Sequence, residues 1–190
     1  FPQTGVVTYA WHLVTHASED GLRDLGTRRP GGEAAGYGGL KPTDEVAQAW
    51  DASLRYARGV GARTLILRTG SSVSPGPVGQ RRLRDFVAAH DDPELALGWS
   101  AEGLWTPAEV AAFAGELGVI PVLRFQGADP DDPADGAWLR IETRAGRGLD
   151  ARTLDRLADM AHDGVLGAVL LAGAASRKGL AQVAEALEIA

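Results

Sequence analysis

The chain has 190 residues, 45% hydrophobic and 23% charged, which suits one domain with a real core. A formal charge of −6 argues against a general nucleic-acid binder, and the lack of cysteine removes disulfides, zinc–thiolate sites and cysteine nucleophiles. No apolar run is long enough for a membrane span, so no membrane association is expected, and the cytoplasm is the expected location. The opening FPQTG has neither the charged nor the apolar region of a signal peptide. It runs almost directly into a strand without an initiator methionine, so we expect residues upstream of it.

In chain order, Gly5–Ala10 reads as a strand and Thr43–Val60 as a helix with Val46, Ala49, Trp50, Leu54 and Ala57 on one face. Thr64–Leu67 is a strand, followed by a Ser/Gly/Pro loop, a helix from Pro77 to His90, and a strand over Leu95–Trp99. WTPAEVAAFAGELG is a well-signed helix: Thr106 caps it, Pro107 opens it, Glu109 completes a capping box and Gly118 stops it. Val119–Leu123 and Ala137–Ile141 are strands, and Asp150 caps a helix reaching His162. Ala168–Leu171 is the last strand, and a helix from Ser176 to Glu188 ends the chain. Six strands alternating with helices imply parallel βα units, wound either as an open doubly wound sheet or as a barrel. The glycine-rich stretch Arg29–Gly39 follows no strand directly, so it reads as a connection and not as a phosphate fingerprint.

Three segments carry a family resemblance: VVTYAWHLVTH (Val6–His16), YGGLKPTDEVAQAWDASLRYARGVGARTLILRTG (Tyr37–Gly70), and the run from VSPGPVGQRRLRDFV (Val73–Val87) through LGWSAEGLWTPAEVAAFAGELGVIPVLRF (Leu97–Phe125) to AWLRI (Ala137–Ile141). In order and spacing these resemble the YecE-like family, which has a TIM-barrel-like fold and no settled activity. The resemblance implies a single α/β domain over residues 1–190, a partial or divergent (β/α) barrel with about six parallel strands. It aligns the first strand here with the family's third, so roughly two strands of an eight-stranded barrel are absent. A barrel with raw edges needs pairing or cover, so a protein partner or a homo-oligomer is expected at the open edge.

In such barrels the active site lies at the C-terminal ends of the strands, and side chains alternate in and out along each strand. That alternation sends Trp138, Arg140 and Glu142 inward on one strand, Ile120, Val122 and Arg124 on another, and Thr64, Ile66 and Arg68 on a third. Tyr9 and Trp11 point inward at the first strand, with His12 on the other face or in the loop; Ser100 ends its strand and Glu102 lies just beyond. Three arginines against the close carboxylate Glu142 would give a local charge of about +2, suited to a small anionic ligand because the guanidinium fork binds carboxylate or phosphate. The plainer alternative is that each arginine pairs with a carboxylate on a neighbouring loop.

Departures from the family pattern are informative. By resemblance, the family has a lysine at the position of Tyr9, glutamate and arginine at Ser100 and Glu102, aspartate at Arg124, and histidine at Glu142. Its asparagine pair stands where this chain has Ala172 and Gly173. Arg140 and Trp11 keep the pattern. An arginine at position 124 cannot act as a general acid or base, because it stays protonated.

Other candidates read as structural. His12 and His16 are four apart but straddle a strand end and a loop, so no metal site is assigned; His16 reads as a capping or loop residue. His90 and His162 close helices, where a cationic side chain suits the dipole. Thr69–Pro77, TGSSVSPGP, lacks a nucleophile elbow and reads as a turn, with phosphate binding by its amides as the sharper alternative. Ala128–Gly136 lacks the calcium-loop spacing. Trp50 belongs to the core, whereas Trp11, Trp99, Trp105 and Trp138 gather near strand ends, where they could stack a base or a sugar. The leading expectation is a degenerate, non-catalytic barrel acting as a binding or assembly subunit, with no cofactor. The alternative is an enzyme that grips a phosphate- or carboxylate-bearing small molecule through Arg68, Arg124 and Arg140, lined by Tyr9, Trp11, Ser100 and Trp138, with Glu142 or Glu102 as base.

Overall fold

The computed structural model describes residues 5–17, 20, 34–125, 136–143, 148–173 and 176–189. Part of the Arg29–Gly39 connection and nearly all of the aspartate-rich stretch Ala128–Gly136 lie outside these described residues. The chain forms two compact units, one over Gly5–Ile120 and the other from Pro121 onward.

The N-terminal unit runs β1 (Val7–Tyr9), α1 (His12–Thr15), a 3-10 turn (Ala34–Gly36), α2 (Asp44–Gly59), β2 (Thr64–Thr69), α3 (Pro77–Ala89), β3 (Ala96–Ala101) and α4 (Pro107–Leu117). β1 pairs with β2 and β2 with β3, all parallel, in a register that sets Tyr9 beside Ile66 and Arg68 beside Ser100. The C-terminal unit holds β4 (Ile120–Arg124), β5 (Ala137–Thr143), α5 (Ala151–His162), β6 (Leu166–Gly173) and α6 (Ser176–Ile189). Here β5 pairs in parallel with both β4 and β6. The α/β architecture with six parallel strands alternating with helices is therefore as expected. Within each unit consecutive strands are neighbours, which is barrel-type winding without the reversal of strand order that marks a doubly wound sheet.

Local chemistry sets most element ends. Thr43 accepts a bond from the Val46 amide, and Asp44 and Glu45 fill the electropositive first turn of α2. Thr106 and Glu109 form the reciprocal capping box of α4, Gly118 ends that helix in the left-handed conformation, and Asp150 caps α5 through the Thr153 amide. α2 buries Val46, Ala49, Trp50, Ser53 and Ala57, and the Trp50 ring meets Phe86 and His90 edge-on at 5.1 and 5.0 Å.

The short helix α1 was not expected, and propensity does not explain it, since four residues cannot nucleate a stable helix alone. Tertiary bonds hold it: the Trp11 amide donates to Ser53 Oγ at 2.9 Å, and the amides of Gly38 and Leu40 donate to Leu13 and Val14 carbonyls at 2.7 and 3.0 Å. His12 and His16 thus sit at the two ends of one helical turn, which corrects the strand-end-and-loop reading. The return segment packs so closely that a Cβ on Gly38 would lie 1.7 Å from the His16 carbonyl oxygen.

Two glycines with similar positive φ, Gly38 at 74° and Gly61 at 69°, separate backbone strain from close approach. Gly61 faces open space, so Gly61→Ala should cost only about 1 kcal/mol, whereas Gly38→Ala adds a backbone collision and should cost about 3 kcal/mol or more. Chemical denaturation of the two variants beside the parent checks this, and equal losses would show that the packing of residues 38–40 on α1 is loose.

Candidate functional site

In the N-terminal unit, the parallel register delivers side chains from three elements to the C-terminal ends of the strands. Arg68 leaves the end of β2 beside Ser100, and Glu102 follows β3 directly, its amide bonded to the Thr69 carbonyl at 2.9 Å. Arg68 grips Glu102 Oε1 through both Nε, at 2.7 Å, and Nη2. From the end of α1 comes His16, 5% exposed, with Nε2 3.7 Å from Glu102 Oε2 and Nδ1 2.8 Å from Thr15 Oγ1. The His16 approach is an ion-pair distance, whereas the arginine makes direct hydrogen bonds, so Arg68 is the firmer partner.

The electrostatics follow from this geometry. His16 and Arg68 together hold the Glu102 carboxyl down at about 2, against the opposing effect of burial. Burial, and then the nearby His16, lower the pKa of His12 below the ordinary imidazole value. Asp20 is half-buried, yet hydrogen bonds from Ser71, Ser72 and the Ala17 amide outweigh burial and keep its carboxyl below the usual range.

The C-terminal unit carries a second charged group. Arg124 and Arg140 lie side by side in the β4–β5 register, and Glu142 stands two residues beyond Arg140 on the same face of β5. Arg140 Nη2 is 2.9 Å from Glu142 Oε1, and Arg124 Nη2 is 3.8 Å from Glu142 Oε2. Arg140 is 7% exposed and its Nε has no hydrogen-bond partner among the described residues, whereas Arg124 and Glu142 are exposed.

The other sequence candidates are placed as follows. Ser100 is buried beside Arg68, and Tyr9 shares the face of Ile66 but is 41% exposed at the edge. Trp11 and Trp138 are both half-buried, Trp138 in register with Val122 and Ala168. Trp99 is not at a mouth. It is fully buried, meets Trp105 and Phe113 edge-on, and donates to Thr69 Oγ1 at 3.1 Å. Among the described residues no group of three or more His, Asp or Glu is arranged to hold a metal ion. Two roles that the sequence did not reveal are His16 as a partner of Glu102 and Asp20 as the acceptor for Ser71 and Ser72, whose segment reads in sequence only as a turn or an amide site for phosphate. The doublet of serines after a strand was the one available signal for the latter.

The Glu102 carboxyl, held near 2 in the folded chain against an ordinary 4.5, adds stability that is complete above pH 4.5 and disappears as pH falls toward 2. A double-mutant cycle with Arg68→Met and Glu102→Gln should give a coupling of about 1 kcal/mol at neutral pH, given partial exposure, and a clearly smaller one at pH 2, where about half of the carboxyl is protonated. Coupling that does not change with pH would mean that the two side chains do not interact as an ion pair.

No protein-family model, curated protein or solved structure compared with this chain matches it.

Proposed function

We propose that the chain is a degenerate YecE-like barrel that serves as a binding or assembly subunit and performs no catalysis. The observation that carries this reading is the commitment of both carboxylates that stand at strand ends as possible bases. Glu102 is tied to Arg68 and His16, and Glu142 to Arg140 with Arg124 close by. A general base works best with a pKa near the operating pH, and a carboxyl held at about 2 is too weak for that task.

A role in assembly is supported by β6. Its eight residues, LGAVLLAG, contain no charge and no proline, the devices that usually block an edge strand from pairing. Among the described residues β6 pairs only with β5, and Val169, Leu170 and Leu171 remain half-exposed. Among the described residues, no helix is long and apolar enough to cross a membrane.

A second reading, an enzyme acting on a phosphate- or carboxylate-bearing small molecule, is favoured by the His16–Glu102 contact at the end of β3, where such barrels place their chemistry. The two readings differ in what the β6 edge does. Light scattering on the purified chain should show a particle larger than one chain, and Leu170→Lys should return it to monomer while leaving the unfolding temperature within a few degrees. A wild-type chain that stays monomeric at high concentration rules out self-assembly at this edge and turns attention to the enzyme reading.

A further inference from the structure

The carboxylate of Asp20 takes four hydrogen bonds. Oδ1 accepts from Ser71 Oγ at 2.6 Å and from the Ser72 amide at 3.1 Å. Oδ2 accepts from Ser72 Oγ at 2.6 Å and from the Ala17 amide at 2.9 Å. Two hydroxyls and two backbone amides therefore converge on one anionic group, from the turn after β2 and from the end of the α1 segment. The fit depends on Gly70, because a Cβ there would lie 2.6 Å from the carboxyl carbon of Asp20. Arg82 adds a cation beside the same turn: Ser72 Oγ and Arg82 Nη1 lie 3.6 and 3.7 Å from the position a Cβ on Gly39 would take. Among the described residues Arg82 has no ion pair. Gly103, directly after Glu102, packs against Ser71, so the turn adjoins the Arg68–Glu102–His16 cluster.

The four bonds fill the acceptor capacity of the Asp20 carboxylate. Four convergent donors beside a guanidinium that has no ion pair among the described residues form a cradle for an oxyanion, and they sit at the strand ends where barrels bind ligands. We infer that the Ser71–Ser72 turn is a binding site for a small oxyanion, the phosphate or carboxylate group of a ligand, and that Asp20 occupies it as a built-in stand-in which the ligand displaces. The groups that donate to the two carboxylate oxygens match equally well two oxygens of a phosphate, and Arg82 balances the extra charge. The site is independent of the β6 edge, so it stands whether or not the chain self-assembles.

Inorganic phosphate and acetate are the probes, added at constant ionic strength against sodium chloride. The measurements are unfolding temperature and calorimetric titration of the wild type, of Asp20→Ala, and of Asp20→Ala combined with Ser71→Ala and Ser72→Ala. Asp20→Ala should be less stable than the wild type, should recover stability saturably with anion, and should bind it at least ten-fold more tightly. The triple variant should lose that response. Recovery with phosphate assigns the cradle to phosphoryl groups, and recovery with acetate alone assigns it to carboxylates. Equal responses from all three proteins, or none, would overturn the inference and leave Asp20 as a loop tie. Should Asp20→Ala fail to fold, Asp20→Asn keeps the shape while losing the charge; anion affinity no greater than that of the wild type would then overturn the inference as well.

Discussion

Charge carried to the end of a parallel strand must be matched there, and this requirement organises both units of the chain. In the N-terminal unit the β2–β3 register sets Arg68 beside Ser100, so Glu102, two residues further on, comes within reach of the guanidinium. In the C-terminal unit the same two-residue step along one strand brings Glu142 to Arg140. A guanidinium largely removed from water is costly without an acceptor, and a carboxylate on the same face supplies it at little entropic cost. The position of His16 follows from a tighter constraint, the approach of the backbone at Gly38 to the end of α1, which only glycine permits.

These pairings bear on chemistry. An arginine already held by a carboxylate has less of its fork to offer an incoming anion, and a carboxylate held by arginine is a poor proton acceptor. The second effect weighs against acid–base turnover at Glu102, whose carboxyl is held at about 2. The Asp20 cradle differs from the arginine pairs in the nature of its donors. Ser71 and Ser72 hydroxyls and the Ala17 and Ser72 amides carry no net charge, so the Asp20 carboxylate is held there by hydrogen bonds and not by a counter-ion.

The elements were legible in the sequence wherever the determining signal is local. The Thr106–Glu109 box, the Asp150 cap and the apolar face of α2 each lie within a few turns of chain, and the structure has all of them. α1 was illegible because contacts more than twenty residues away in sequence hold it: Ser53 below and residues 38–40 alongside. The members of the strand-end cluster could be picked out singly, since Arg68, Arg140 and Glu142 follow from alternation along strands and Glu102 from its place just beyond one. Their pairing needed the register between strands, which periodicity does not encode. His16 and Asp20 were passed over for the same reason, as each acts on a partner from a distant segment. Trp99 shows the converse error, since closeness to a strand end in sequence said nothing about which face it occupied.

The central claim is that Glu102 is a permanent counter-ion and not an acid–base group. Its own titration tests this most directly, by carbon-13 NMR of the side-chain carboxyl in glutamate-labelled protein, assigned by comparison with Glu102→Gln. The Glu102 signal should stay at its ionised shift through pH 4 and move only as pH approaches about 2. A midpoint at or above the ordinary value of 4.5 would contradict the counter-ion role, and would return Glu102 to the set of groups able to accept a proton from a bound ligand.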